Sequence, residues 1–85
     1  MKLKEALELY PDSLLIPTNM ENAIVGIVER FDMQPVVLMD KDVVISNCIR
    51  DGMSQAEAEE FYDYNILGAY YGDKTPIFLI ERIDH

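Results

Sequence analysis

The sequence predicts a small α+β domain, and three observations carry that expectation. Apolar residues recur at helical spacing over residues 3–10, 44–49 and 58–69, β-branched runs occur over 23–31, 35–39 and 75–83, and helix-capping patterns stand at the joins. A chain of 85 residues supports one compact domain over 1–85 with a single modest core.

Leu3, Ala6, Leu7 and Tyr10 fall at i, i+3, i+4 and i+7, one face of a helix that Pro11 stops. Residues 11–22 hold two prolines and several turn formers, so they read as a loop with Leu14, Leu15 and Ile16 tucked under the body. The next piece carries two signals. Thr18-x-x-Glu21 resembles a capping box, whereas Ile24, Val25, Ile27 and Val28 favour a strand, and the β-branched run decides for strand. Pro35 to Met39 is again strand-like, and the polar Asp32-Met33-Gln34 between the two fits a hairpin connection of three to five residues.

From Asp40 the period changes. Val44, Ile45, Cys48 and Ile49 form a helical stripe capped by Asp40 or Asp42, with Gly52 as the residue just past its end. Ser54-Gln55-Ala56-Glu57 is a capping box, and it opens a helix whose stripe is Ala58, Phe61, Tyr62, Ile66 and Ala69, ending near Gly68 or Gly72. Thr75 to Ile83 returns to strand character, with Asp84 and His85 as a frayed end. The predicted order is α-β-β-α-α-β: a three-stranded antiparallel sheet packed with helices, whose edges need covering by helices, charge or a second subunit.

Composition narrows the chemistry. Sixteen acids against seven bases give a net charge of −9, which opposes direct binding to nucleic acid or anionic lipid and favours a protein partner with a basic surface. A single cysteine cannot form an internal disulfide, so a cytoplasmic setting is expected, and no stretch approaches the roughly 20 apolar residues of a membrane span. The only histidine is His85, which leaves no serine or cysteine with a well-placed imidazole base, and one cysteine plus one histidine cannot close a zinc shell. Cys48, on an apolar stripe, reads as a small core hydrophobe. Asp40 and Asp42 read as helix caps, since the glycine and the final glutamate of a calcium loop are missing. Gly68 and Gly72 stand too close together for a phosphate-binding loop, and Asp73 precedes Lys74 where such a loop needs lysine directly. No enzyme chemistry, cofactor or metal site is therefore expected.

Two features remain as candidate sites. From Asp51 to Asp73 the charged residues are all acids, Asp51, Glu57, Glu59, Glu60, Asp63 and Asp73, an uncompensated surface in which Glu59, Glu60 and Asp63 at i, i+1 and i+4 make a ridge opposite Phe61, Tyr62 and Ile66. Such a ridge imitates the phosphates of a duplex to a basic protein, although a solvated helix face offers the plainer account. Beside it, Tyr70 and Tyr71 are adjacent and cannot both be buried, so at least one is expected at the surface as an interface anchor. The remainder of this stretch reads as a structural turn. Asn65 is expected on the buried side of its helix, fastening the turn by hydrogen bonds; Gly68 and Gly72 supply positive φ or close approach; and Pro76 starts the last strand.

Asp51-Gly52-Met53, Ala58-x-x-Phe61, Asn65-x-x-Gly68-Ala69-Tyr70 and Gly72-x-x-Thr75-Pro76-x-Phe78 together resemble a group of small phage and prophage proteins of unknown function. The likeness extends more weakly through Ala23-Ile24-Val25-Gly26 and Pro35-Val36-Val37, covering most of the chain after Glu21. It implies a phage origin, a host-cytoplasm setting and no catalytic residues to carry over. The expectation is an accessory protein that binds and inhibits a host defence or nucleic-acid-binding factor by charge mimicry. The alternatives are a structural or regulatory homodimer and, below both, a small carboxylate-dependent hydrolase.

Overall fold

The computed structural model describes residues 1–12 and 14–85. Its regular elements are α1 (Leu3–Leu9), β1 (Ile24–Val28), β2 (Val36–Asp40), α2 (Lys41–Arg50), α3 (Gln55–Phe61) and β3 (Ile77–Leu79). The α+β class agrees with the sequence, whereas the predicted order α-β-β-α-α-β is met only in part. Short 3₁₀ turns at Glu21–Ala23 and Gly72–Lys74 and a π-helical segment at Tyr62–Leu67 are interposed, and none of them was expected. No helix is long and apolar enough to cross a membrane among the described residues.

The sheet runs in the order β1-β2-β3 and is mixed, which corrects the antiparallel expectation. β1 and β2 pair antiparallel, Ile27 facing Val37 and Val28 facing Val36, with an irregularity between Ile24 and Gly26. β2 and β3 pair parallel, Leu38 with Ile77, Met39 with Phe78 and Asp40 with Leu79. The cause is the connection: α2, α3 and the π segment lie between these strands, and a crossover of that kind returns the chain in its original direction. The loop between β1 and β2 spans residues 29–35, longer than the expected hairpin, with Asp32 at φ 58° in the left-handed region that aspartate tolerates. β3 is also shorter than the predicted strand over 75–83. Its last partner is Asp40, where β2 gives way to α2, so Ile80 has no neighbouring strand to meet.

The core gathers Ala23, Val37, Met39, Val44, Ile45, Cys48, Ala58 and Tyr62, with Leu14, Ile16, Met20, Met53, Ile66 and Phe78 packed against it. Tyr62 and Phe78 meet edge to face at 5.4 Å, and Lys41 Nζ lies 4.9 Å from the Tyr62 ring centre. On α2 the buried stripe is Val44, Ile45 and Cys48, as expected, but its fourth member is Asn47 and Ile49 is exposed. Asn47 is tolerated there because Asn47 Nδ2 donates to Asn22 Oδ1 at 2.8 Å and Asn22 Nδ2 donates to Asn47 Oδ1 at 3.1 Å. Burial, with Asp51 adding repulsion, pushes the Cys48 thiol up, which keeps it protonated and inert.

Both ends of α2 follow their sequence signals. Asp40 Oδ1 accepts from the Asp42 N–H at 2.9 Å. At the far end Gly52 takes φ 114°, the Gly52 N–H donates to the Ile49 carbonyl at 3.0 Å and the Met53 N–H to the Cys48 carbonyl at 3.2 Å, a Schellman closure. On α1 the stripe is only partly realised: Ala6 is buried, whereas Leu7 faces solvent.

Candidate interaction surface

α3 begins where the sequence placed it. Ser54 Oγ accepts from the Glu57 N–H at 3.2 Å while Glu57 Oε1 accepts from the Ser54 N–H at 3.0 Å. The bond from the Ser54 backbone, helped by its hydroxyl, holds the Glu57 carboxyl below its usual range. Glu59 Oε1 accepts from Gln55 Nε2 at 2.9 Å, one turn back. Glu60 and Asp63 are exposed and hold neither a hydrogen bond nor an ion pair among the described residues, where the one ion pair is Arg50 with Asp51 at 3.9 Å. The carboxylates of this helix therefore carry no compensating cation.

After Phe61 the helix widens into the π segment, which still sets Tyr62 and Ile66 against the core but does not keep the regular spacing of faces. This overturns the reading of Asn65. Its side chain is exposed and makes no hydrogen bond in the described chain. Thr75 performs the fastening instead: its Oγ1 accepts from the Tyr71 N–H at 2.8 Å and donates to the Gly72 carbonyl at 2.8 Å. The two glycines divide the roles expected of them. Gly72 takes φ 65°, whereas Gly68 is needed for close approach, since a Cβ there would lie 3.1 Å from the carbonyl oxygens of Asp63 and Tyr64. Pro76 is buried immediately before β3, where it removes no ladder donor.

Aromatic surface is left in water along α3, the π segment and the turn that follows. Phe61, expected in the core, is 37% exposed; Tyr64, which the sequence reading passed over, is 77% exposed; and Tyr70 and Tyr71 are both exposed, at 82% and 55%. Glu57, Glu60, Phe61 and Tyr64 line one open concavity of about 450 Å³ with Met53 and Asn65. Phe61 and Asn65 also form a wall of a smaller apolar cavity of about 190 Å³, floored by Met20, Met39, Ile66 and Phe78 and edged by Tyr71. Acids and aromatics thus share a surface, so Glu60 does not lie opposite Phe61 as the wheel suggested. Glu59 and Asp63 are exposed on the same helical run but do not line this concavity. Asp73 stands apart from it, lining a concavity with Arg30, Asp32 and the rest of the β1–β2 loop. Tyr64 was legible in principle, because it follows Phe61 at i+3 and Glu60 at i+4.

In comparison with known proteins, no family model, no curated protein and no solved structure matches this chain.

Proposed function

We propose that this chain is a noncatalytic protein-binding module that engages a basic partner through α3 and the π segment. The observation that carries the reading is the juxtaposition of Glu57 and Glu60 with exposed Phe61 and Tyr64 in one concavity, with no lysine or arginine lining it. Carboxylates steer and orient a cationic partner, while aromatic rings supply the desolvated contact area that holds it. The net charge of −9 favours the same class of partner at longer range. The resemblance to small phage proteins suggests a setting for this activity: an accessory factor in the host cytoplasm that occupies the nucleic-acid site of a defence or nucleic-acid-handling protein, its carboxylates standing in for phosphates.

The test is affinity capture from bacterial lysate with identification of the bound protein, repeated with the triple variant Glu59→Lys/Glu60→Lys/Asp63→Lys. Glu57 is left in place because it caps α3. The expected result is a partner with a basic surface, captured less efficiently as salt rises and lost in the triple variant, whose circular dichroism is unchanged. Undiminished capture by the triple variant removes Glu59, Glu60 and Asp63 from the binding surface.

A further inference from the structure

The apolar cavity beside the π segment has a volume of about 190 Å³, and no charged side chain lines it among the described residues. Its floor is Met20, Met39, Ile66 and Phe78. Two of these four are held by groups outside the cavity: Met20 Sδ accepts from Asn47 Nδ2 at 3.4 Å, and the Phe78 ring meets Tyr62 edge to face. The floor is therefore preorganised. Phe61 and Asn65 form a wall common to this cavity and to the concavity that Glu57 and Glu60 line. The exposed amide of Asn65 makes no hydrogen bond within the described chain, so its donors and its acceptor are available on that wall.

We propose that this cavity receives one aromatic side chain of the partner protein, from a segment whose neighbouring lysine or arginine reaches Glu60 across the Phe61–Asn65 wall. The inference rests on the function proposed above and adds to it the anchor of the partner. Size sets the first condition. An apolar cavity of about 150 Å³ accepts benzene, so this one admits a single ring and not the row of side chains that a helix face presents. Chemistry sets the second, because the thioethers of Met20 and Met39 and the edges of Phe61 and Phe78 favour an aromatic occupant over an aliphatic one. Charge complementarity sets the third. No lysine or arginine lines the adjoining concavity, and while Glu57 is engaged in capping α3, Glu60 holds neither a hydrogen bond nor an ion pair among the described residues. A cation beside the anchored ring is thus the charge this wall selects. Between ring and cation runs a peptide backbone, whose N–H and carbonyl match the amide of Asn65.

Methionine-methyl NMR on the full chain tests it, with a blocked lysine–phenylalanine–lysine tripeptide as the probe at millimolar concentration. Met20 and Met39 line the cavity, Met53 lines the acidic concavity, and Met1 and Met33 line neither. The ring current of a bound phenylalanine should move Met20 and Met39 together with Met53, and leave Met1 and Met33 in place. Alanine in place of phenylalanine should weaken binding about tenfold or more, the loss of one buried apolar side chain, and move Met53 alone. Glutamates in place of the lysines should weaken it several-fold at low salt. Met20 and Met39 signals that ignore the phenylalanine, or respond equally to alanine, would overturn the anchor and leave the acidic surface standing. Binding indifferent to the exchange of lysine for glutamate would overturn the basic-partner reading beneath it. Binding of p-cresol as tight as that of the tripeptide would assign the cavity to a free small molecule, and a Met20 signal that moves on dilution of the chain alone would assign it to a second copy. Either result would overturn the proposal.

Discussion

Along α2, Val44, Ile45, Asn47 and Cys48 turn inward and hydrogen bonds close both helix ends; along α3 and the π segment only Ala58 and Tyr62 are fully buried, while Phe61, Tyr64 and four carboxylates face water. The two stretches are adjacent in the chain and carry similar apolar content, yet one is built to pack and the other to present. The difference comes from the widened turn. Tyr62 anchors the second stretch to the core against Phe78, and the π geometry after it turns the next side chains outward where a regular helix would have buried part of them. Single π turns inside helices occur frequently at functional sites.

That contrast can be broken at its anchor. Tyr62→Ala should have the largest effect, about 3–5 kcal/mol of lost stability in urea unfolding, because it empties the space between α3 and β3 and frees the presented stretch from the core. An unfolding free energy unchanged by this variant would mean that the two stretches do not share a core. Next comes the cap. Ser54→Ala should cost about 1 kcal/mol by removing the hydroxyl that accepts from the Glu57 N–H. The carboxyl of Glu57 has a lowered folded value, so its contribution is present above the ordinary glutamate range and is lost as pH falls through that lowered value. Glu57→Gln should therefore be less stable than the native chain at neutral pH and converge with it in acid; a gap that persists in acid would contradict this linkage. The smallest stability effect belongs to the presented surface. Tyr64→Ser should change unfolding by less than about 0.5 kcal/mol, as surface substitutions do, while weakening partner capture. A large loss of stability would reassign Tyr64 to packing.

Much of the packed half was legible in the sequence because its signals are local. Asp40, Gly52 and the Ser54–Glu57 box act on backbone groups within four residues, and the β-branched runs of β1 and β2 need only each other. The parallel pairing of β3 was not legible, since it depends on where the crossover delivers the chain. Its early end follows from α2 starting at Lys41, a tertiary fact that no propensity of Ile80 to Ile83 can report. Part of the candidate surface was also legible: Glu57 and Glu60 line one concavity, while Tyr71 lines the separate apolar cavity. Asn65 was misjudged because a projection of 3.6 residues per turn was carried through a segment that does not keep it, and Asp73 because its loop sets it beside the β1–β2 loop; Phe61, the last residue of the regular helix, lines both concavities at the border of the core. Thr75 carries a signal that the glycines and proline around it obscured, a hydroxyl three residues after a carbonyl in a left-handed turn.

The most direct measurement of the central claim is carboxyl footprinting with a water-soluble carbodiimide, on the free chain and on its complex with the captured partner. The account predicts that labelling of Glu60 and Asp63 falls in the complex while Glu5 and Glu8 on α1 label as before. Equal labelling of Glu60 and Asp63 in both states, or protection confined to α1, would contradict it.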